Sequence, residues 1–236
     1  MRYSRQISLI GEKGQKKLKD SRVTVVGCGG LGTFVSLLLV SAGVGNIRLV
    51  DGDVPSESNF NRQFMYPGEE GYKAEILDKK LKDINEDVGI ETVCEFLDED
   101  NGDVIVKGSD VIADCLDSLD ARLTLNGFAV LNGIPLSHGG IDGLFGQVTL
   151  VIPGKTPCLQ CLFGNLKETD EVPLSLSSSV SMVASVQATD IIKHITGTGD
   201  TLEGRLLTMS MESNFYDTVE ISRNPECQVC GEIRCK

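Results

Sequence analysis

Four cysteines in the second half of the chain are spaced like metal ligands. Cys158 and Cys161 stand in "CLQC", and Cys227 and Cys230 stand in "CQVC". Two C-x-x-C pairs are typical of a tetrahedral zinc site made of four thiolates, and they are less typical of disulfides. The sequence therefore predicts a zinc site.

The other four cysteines and the two histidines carry weaker signals. Cys28, Cys94 and Cys115 fall in apolar, strand-like surroundings, where a cysteine is most often a small buried hydrophobic residue. Cys235 lies near the C-terminus and is expected to be incidental. Nothing in the spacing of His138 or His194 makes either one a ligand or a base, so both are expected to be structural.

A glycine-rich motif, "GCGGLG", places Gly27, Gly29, Gly30 and Gly32 between a predicted strand and a predicted helix. The G-x-G-x-x-G spacing lets the backbone approach a phosphate, whose charge then meets the amides at the start of the helix. Asp51 ends the next predicted strand and is suited to accept hydrogen bonds from ribose hydroxyls. The sequence therefore predicts a nucleotide site.

The charged residues that follow favour a nucleoside triphosphate. Residues 58–73, "SNFNRQFMYPGEEGYK", supply Asn59, Arg62 and Lys73, and Asp117 follows the fourth predicted strand. A nicotinamide dinucleotide needs only its pyrophosphate neutralised, and the helix start does most of that. A triphosphate carries about four negative charges and usually a Mg²⁺ ion, so it calls for extra cations. We expect Asp117 to hold the metal.

The elements that must position these residues alternate between strands and helices. Strands are predicted at 22–27, 46–53, 90–97, 111–118 and 134–141, with helices at 31–44, 72–86 and 119–133. Later segments predict antiparallel strands within 143–154 and 204–222, a polar loop at 165–179 and a helix at 180–197. This pattern predicts an α/β fold, with a doubly wound, mostly parallel Rossmann-like sheet that continues into antiparallel strands.

We expect one continuous domain over residues 1–236. It would comprise an N-terminal arm and short basic helix (1–20), a nucleotide-binding half (21–142) and a second half (143–236). The net charge of −12 and the pI near 4.6 argue against binding to nucleic acid or to an anionic membrane surface. The longest apolar run near the N-terminus is broken by glycines, so we expect no membrane span and a cytoplasmic protein.

Taken together, these motifs resemble those of the ThiF/MoeB/HesA family, the prokaryotic relatives of ubiquitin-activating enzymes. The resemblance runs from Arg2 to Cys230, over nearly the whole chain. The motifs that carry it, in order, are "RYSRQ", "GCGGLG", "LVDGDVPSESNFNRQF", "GYK", "DCLDS", "CLQC" and "NPECQVC".

The resemblance implies an enzyme that adenylates the C-terminal glycine carboxylate of a small β-grasp sulfur carrier protein. The reaction would use ATP and Mg²⁺ and release pyrophosphate, as a step toward a thiocarboxylate. A homodimer is implied, in which Arg5 of one subunit reaches the triphosphate bound to the other. The four C-x-x-C cysteines would bind a structural zinc that ties the C-terminal tail to the domain.

The resemblance also implies roles for individual residues. Gly30 and Asp51 would contact the adenosine, while Asn59, Arg62 and Lys73 would hold the phosphates. The catalytic set would be Arg5, Arg62, Lys73 and Asp117. The remaining nucleotide-binding positions expected on this basis are Gly27, Gly29, Gly32, Asp53, Ser58 and Ser118.

Two departures from the family pattern affect the expected reaction. Many relatives carry a cysteine in the loop after the first C-x-x-C pair, whereas this chain has none between Cys161 and Cys227. No sulfurtransferase domain follows Lys236 either, so we expect the reaction to stop at the adenylate and another protein to transfer sulfur. Ser118 stands where the family often has Asn, which weakens the assignment on the adenine side.

Several alternatives stay open at this point. One alternative is that the carboxylate belongs to a peptide or to a modified tRNA, although the acidic composition disfavours tRNA. A nicotinamide-dependent oxidoreductase would explain the glycines and Asp51, but not Arg62, Lys73 or the cysteine pairs. An inactive subunit that only docks a carrier would have no need of these charged residues. The carrier and its pathway, whether thiamine, molybdopterin, cysteine or another, are not identified by the motifs.

Overall fold

The computed structural model describes residues 2–167 and 174–231, and its strands form a single mixed sheet. The strands are β1 (Arg22–Val26), β2 (Asn46–Val50), β3 (Gly89–Val93), β4 (Val111–Asp114), β5 (Leu136–Asp142), β6 (Phe145–Val151), β7 (Arg205–Ser210) and β8 (Phe215–Glu220). Their order across the sheet is β3-β2-β1-β4-β5-β6-β7-β8. The predicted α/β fold is therefore confirmed.

Helices cover both faces of the sheet. They are α1 (Ser4–Asp20), α2 (Gly30–Ala42), α3 (Lys73–Ile84), α4 (Gly102–Val106), α5 (Leu119–Leu131), α6 (Leu159–Phe163) and α7 (Ser177–Thr196). One hydrophobic core lies between the sheet and helices α1, α2, α3 and α7. A second core lies on the opposite face, under α4, α5 and α6, and includes Cys158, Cys227 and Cys230.

The first five strands are parallel, which follows from their residues and their connections. β1, "RVTVV", is almost entirely buried and rich in β-branched residues, as expected of a strand covered on both faces. It pairs with β2 on one side and with β4 on the other. Chain connections therefore leave β1 and β4 in opposite directions, which opens a crevice at the carboxyl ends of these two strands.

From β5 onward the sheet becomes antiparallel, as predicted. β7 and β8 form a hairpin whose turn places Asn214 in the left-handed region with φ of 55°. All of β8 is exposed, because it lies at the edge of the sheet. Within residues 2–167 and 174–231 we find no helix long and apolar enough to cross a membrane.

The structure corrects several predicted boundaries. The N-terminal segment is helical from Ser4, with a kink at Gly11, so the expected arm before the basic helix is part of that helix. Helix α7 begins at Ser177, because its serines continue the helical turn, so the predicted loop 165–179 is too long by residues 177–179. Residues 168–173 of that loop lie outside the described part. β2 and β4 also end three or four residues earlier than predicted.

Candidate functional site

The register of the parallel strands brings three predicted segments to one point. Val26 of β1 pairs with Val50 of β2 and with Asp114 of β4. The residues that follow these positions therefore leave the sheet side by side at its carboxyl edge. They border an open cleft of about 260 Å³, which lies where the connections of β1 and β4 diverge.

The glycine motif forms the wall of this cleft at the start of α2. Gly27 has φ of +91°, and a Cβ atom there would lie 2.7 Å from the carbonyl oxygen of Cys115. A Cβ atom on Gly32 would lie 1.8 Å from the carbonyl oxygen of Gly27, so helix and strand pack too closely for any side chain. The hydroxyl of buried Tyr66 donates to the carbonyl of Cys28 and fixes the loop from below. Free amides at the start of α2 thus face the cleft, as a phosphate site requires.

Asp51 holds the same loop from the side of β2. Its carboxylate accepts the amide hydrogens of Cys28 and Asp53, at 2.7 and 2.8 Å. Burial raises the pKa of Asp51, although these two hydrogen bonds work in the opposite direction. Asp51 lines the cleft beside the glycines, and its expected interaction with ribose hydroxyls stays a prediction.

Lys73 is a buried cation that already has a partner. It is the first residue of α3, its side chain is 6% exposed, and its Nζ lies 2.5 Å from Oδ2 of Asp53. The amide of Lys73 also donates to the carbonyl of Asp53. Both residues line the cleft. The sequence analysis expected Lys73 to hold phosphates and Asp53 to be a nucleotide-binding position, but it did not predict that the two side chains pair with each other.

Arg62 and Asn59 reach the cleft from the irregular segment between β2 and α3. A short 3-10 helix, Glu57–Asn59, starts this segment, and the amides of Arg62 and Gln63 donate to the carbonyl of Asn59. The Arg62 guanidinium donates to the carbonyl of Ser58 and to the side chain of Asn61. Arg62 has no carboxylate partner among the described residues, so its charge is available to an anion.

Asp117 lies in the cleft three residues beyond the end of β4, and it is exposed. The hydroxyl of Ser118 accepts the amide hydrogen of Ala121 and caps helix α5. Oxygen ligands are those that Mg²⁺ prefers, and proteins usually supply only one or two carboxylates while nucleotide phosphates supply the rest. An exposed carboxylate in this cleft therefore fits the expected magnesium ion.

A buried polar group that the sequence analysis missed lies below Asp117. His138 Nδ1 is 2.7 Å from Oδ2 of Asp114, and both side chains are fully buried. Arg122 lies within 4.0 Å of the same carboxylate and lines the cleft. Burial would raise the pKa of Asp114, but Arg122 and His138 bring it below its usual value. Burial lowers the pKa of His138, so this imidazole is neutral at pH 7.

Most of the residues predicted to bind the nucleotide or to be catalytic meet in the cleft, and four of them do not. Those that line it are Gly27, Gly29, Gly30, Asp51, Asp53, Asn59, Arg62, Lys73 and Asp117. Gly32, Ser58 and Ser118 are outside the lining, although the first and last of these shape the neighbouring helices. Lining residues that were not predicted include Gln63, Glu95, Phe96 and Arg122. Gln63 was within reach of sequence reasoning, because it ends "SNFNRQ".

Arg5 is far from the cleft of its own chain. Its neighbour Tyr3 packs against Gly43, the residue that ends helix α2, and accepts a hydrogen bond from Asn85. The cleft is at the other end of α2, and a helix of 13 residues is about 20 Å long. Arg5 itself is exposed. Its expected role in another subunit stays a prediction.

The four C-x-x-C cysteines form a compact cluster. Their sulfur atoms all lie within 4.8 Å of one another, with Cys158 and Cys227 at 3.7 Å and Cys161 and Cys230 at 3.4 Å. Tetrahedral zinc, with bonds of about 2.3 Å, needs sulfur atoms roughly 3.8 Å apart. Burial raises the pKa of Cys227, but amide hydrogens of Cys230 and Val229 bring it down to about 7. Geometry and chemistry therefore both fit a zinc ion.

Two neighbouring segments hold the cluster together. The Asn126 side chain of α5 accepts the amide hydrogen of Leu159, directly after Cys158. Arg223 donates to the carbonyl oxygens of Gly154 and Cys230, and so links the C-terminal segment to the loop after β6. Among the residues that the structure describes, no other group of three or more His, Cys, Asp or Glu side chains is close enough to hold a metal ion.

None of the three lone cysteines that the structure describes is an exposed nucleophile. Cys28 and Cys115 are buried, as predicted, and burial raises the pKa of both thiols well above its usual value. Cys94 is only half-buried, which corrects the expectation for that residue, because β3 is an edge strand. Cys235 lies outside the described residues.

Comparison with known proteins gives concordant matches. A family model described as "ThiF family" matches residues 3–229. The chain is 38% identical over 240 residues to the SAMP-activating enzyme E1 of Haloferax volcanii, covering 98% of this chain and 88% of that protein. It is 34% identical over 241 residues to the sulfur carrier protein ThiS adenylyltransferase of Bacillus subtilis, covering 98% of this chain and 71% of that protein.

The fold also matches solved structures. One is E. coli MccB with ATP, at a TM-score of 0.88, covering 98% of this chain and 75% of that one. The two sequences are 24% identical, so this likeness shows a shared fold.

Proposed function

Because this chain belongs to the ThiF family, we propose that it adenylates the C-terminal glycine carboxylate of a small ubiquitin-like sulfur carrier protein. The chain is an adenylyltransferase related to ubiquitin-activating enzymes. The observation that carries the proposal is the cleft, in which the glycine loop, Asp51, Arg62, Lys73 and Asp117 converge. A nicotinamide-dependent oxidoreductase would leave the last three without a purpose.

In the proposed reaction, a carboxylate oxygen of the carrier attacks the α-phosphorus of ATP. A phosphorus–oxygen bond forms to the carboxylate, the bond to the β-phosphate breaks, and pyrophosphate leaves with its electron pair. No proton has to move, so the enzyme needs no general base. Its task is to hold the carboxylate and the phosphates in line and to balance their charge.

Within the cleft, the residues divide this work by position. The amides at the start of α2 meet the phosphates, and Asp51 is placed for the ribose. Arg62 is available to the leaving pyrophosphate, and Lys73 becomes available once a phosphate competes with the exposed carboxylate of Asp53. A bound Mg²⁺ ion would supply further neutralisation of phosphate charge, and Asp117 is the residue that would hold it.

The charge of the cleft supports a need for cations from outside this chain. Its lining has four carboxylates and three cationic side chains, and Arg122 and Lys73 already face Asp114 and Asp53. Binding a triphosphate of about four negative charges therefore calls for positive charge from outside. We propose that it comes from the metal and from Arg5 of a second subunit in a homodimer.

We further propose that the reaction of this chain ends at the adenylate. A thioester to the enzyme would require an accessible cysteine near the activated carboxylate. The chain has no cysteine between Cys161 and Cys227, and Cys115 in the cleft lining is buried with a raised pKa. A later thiocarboxylate would then depend on a sulfur donor from another protein.

Exchange of labelled pyrophosphate into ATP tests the adenylation. We expect exchange that depends on a carrier ending in Gly-Gly and that disappears when its last glycine is removed. Asp117→Asn should lower the exchange rate about 100-fold or more, which is the usual cost of losing one group that stabilises charge in the transition state. ATP binding without carrier-dependent exchange would instead favour a peptide substrate or a docking subunit, and absence of ATP binding would refute the proposal. Mass spectrometry of the carrier should show an adenylate and no thioester to the enzyme.

Complementation between two inactive variants tests the shared site. Arg5→Ala and Asp117→Asn would each inactivate a homodimer, but a mixed dimer has one site with both residues intact. Random co-assembly should therefore restore about a quarter of the wild-type activity. No recovery in a verified mixed dimer would contradict the donation of Arg5 in trans, while leaving adenylation itself unaffected.

A further inference from the structure

We propose that Arg122 is a positioning residue, which acts with the buried Asp114 and His138 to set the orientation of Asp117 in the cleft. This inference rests on the proposed function, because it concerns how the metal-holding carboxylate of that reaction is kept in place. Asp114 begins the "DCLDS" motif, but Arg122 and His138 lie outside all of the motifs, and the sequence pattern assigned His138 no role.

Hydrogen bonds hold the backbone just before Asp117. The amide of Leu116 donates to Oδ1 of Asp114 at 3.1 Å, and the carbonyl of Leu116 accepts from Nη2 of Arg122. One residue earlier, the amide of Cys115 donates to the carbonyl of Val26 at 3.0 Å. Both polar backbone groups of Leu116 are therefore held, and the next residue in the chain is Asp117.

The backbone just after Asp117 is held by the start of helix α5. Ser118 caps helix α5, and Arg122 stands one turn into the same helix. The guanidinium therefore connects the start of α5 back to Leu116 and also to β5, where its Nη1 donates to the carbonyl of Gly139 at 3.1 Å. Asp117 is thus fixed on both sides, while its own carboxylate stays exposed in the cleft.

Both ring nitrogens of His138 have hydrogen-bond partners. Its Nδ1 lies 2.7 Å from the carboxylate of Asp114, which has no proton to give, so Nδ1 carries the hydrogen. Nε2 then accepts from the side-chain amide of Gln147, at 3.3 Å. In this arrangement the partly buried Arg122 balances the charge of the buried Asp114, and the neutral imidazole holds the carboxylate in one orientation.

The two glycines that follow His138 lie close against neighbouring side chains. A Cβ atom on Gly139 would lie 2.4 Å from Oε1 of Gln187, whose amide donates to the carbonyls of Asp114 and Ser137. A Cβ atom on Gly140 would lie 3.0 Å from Cγ of Gln147 and 3.3 Å from Nη1 of Arg122. The "SHGG" segment therefore leaves room for this polar group.

The test measures binding and does not depend on turnover. Calorimetry would follow α,β-methylene-ATP as Mg²⁺ is varied, for wild type, Arg122→Lys, Asp117→Asn and the double variant. Lysine keeps the charge but lacks the planar fork of N–H donors with which Arg122 reaches the carbonyls of both Leu116 and Gly139. We expect Arg122→Lys to weaken the Mg²⁺-dependent part of binding about tenfold, as loss of an outer-shell partner does. In the Asp117→Asn background the same change should have no further effect.

A matched control is Arg48→Lys. Arg48 is a buried arginine whose Nη1 also donates to backbone carbonyls, of Ile105 and Lys107, but it is not part of the cleft lining. We expect this change to lower the thermal midpoint without altering the Mg²⁺ dependence.

The outcomes separate the inference from the proposed function. If Asp117→Asn weakens Mg²⁺-dependent binding while Arg122→Lys does not, or if the two effects add in full, the positioning role is wrong and the proposed function stands. If Asp117→Asn changes nothing, the metal role of Asp117 fails and the inference fails with it. An equal effect of Arg48→Lys and Arg122→Lys on the Mg²⁺ dependence would show general destabilisation and would also overturn the inference.

Discussion

Among the residues that the structure describes, the cysteine cluster and the cleft at the carboxyl edge of the sheet both gather chemically active side chains, and they are built differently. The four sulfur atoms are already within 4.8 Å of one another and three of the four cysteines are buried. In the cleft, by contrast, Asp117 is exposed, Lys73 is paired with Asp53, and Arg62 bonds only to neutral oxygens. The cysteine cluster is compact and mostly buried, whereas the cleft is open and already contains an ion pair of its own.

The difference follows from what each site must do. A structural metal site gains from complete enclosure, because any open position would admit water or a competing ligand. A substrate site must admit ATP and a second reactant and must release pyrophosphate, so its charges have to be exchangeable. We therefore expect changes at the cluster to alter stability and changes in the cleft to alter activity.

The largest expected effect is loss of metal from the cluster. Structural zinc contributes roughly 10 kcal/mol of binding free energy. In a chain of this size each kcal/mol corresponds to about 2–4 °C, so chelation or Cys227→Ser should lower the thermal midpoint by more than about 10 °C. Calorimetric scans with and without added Zn²⁺ check this.

Cys94→Ser is the control, because Cys94 is a half-buried lone cysteine away from the cluster. It should leave the midpoint nearly unchanged and unaffected by chelator. If purified protein contains no metal and Cys227→Ser melts like wild type, the cluster is not a structural zinc site and the division between the two sites breaks down.

The next largest effect is expected at Lys73. Lys73→Met removes a buried cation from the cleft but leaves its partner Asp53 exposed to solvent, so the folding cost is small. Loss of one charged group that faces the transferring phosphates costs about 100- to 1,000-fold in rate. We therefore expect adenylation to fall by about this factor while the thermal midpoint stays near that of wild type.

Lys80→Met is matched to this change, because Lys80 lies on the same helix and also pairs with one carboxylate, Glu69. It is outside the cleft lining and should retain full activity. A large drop in midpoint for Lys73→Met, with activity lost in proportion, would mean that the pair with Asp53 serves folding more than chemistry.

How much of each site could be foreseen from sequence also differs. The cysteine cluster could be predicted because each C-x-x-C pair is local, with two residues between its cysteines. Tetrahedral zinc geometry also leaves few other ways to arrange four thiolates. The positions of Gly27, Asp51 and Lys73 in the cleft could be predicted, because a strand, a tight turn and a helix are local patterns too. The pairing of Lys73 with Asp53 could not be predicted, since it depends on how the loop between β2 and α3 folds back.

The group around His138 could not be foreseen for the same reason. Asp114, Arg122 and His138 lie on β4, α5 and β5 and meet only through the parallel register, in which Asp114 is the partner of His138. The fold class and a mostly parallel sheet that continues into antiparallel strands could be predicted, because they follow from alternating periodicities along the chain. Element ends were less accurate, as at Ser177, where tertiary packing extends a helix that local preference leaves ambiguous.

The smallest effect concerns His138, and it tests the boundary between the two kinds of site, because a buried stability group here lies under the open cleft. The imidazole faces Asp114, Arg122 and Gln147, and the ring of Phe163 packs against it. Burial lowers its pKa in the folded state, so the unfolded chain binds more protons below about pH 6.5. Stability should therefore fall as the pH drops through this range.

His138→Asn keeps a side-chain N–H for Asp114 but cannot take up a proton, so its unfolding free energy should vary less between pH 7 and 5.5. The chain has one other histidine, His194, and burial lowers its pKa too. His194→Asn is the control: it should remove its own share of the pH dependence without touching the Mg²⁺ dependence of nucleotide binding. His138→Asn should change both, because the same side chain that resists protonation also holds Asp114, and through it the backbone before Asp117. Denaturant melts at several pH values, set beside Mg²⁺ titrations of the same two variants, decide this. A His138 variant that alters only the pH dependence would confine the residue to folding and restore a clean division between the closed cluster and the open cleft.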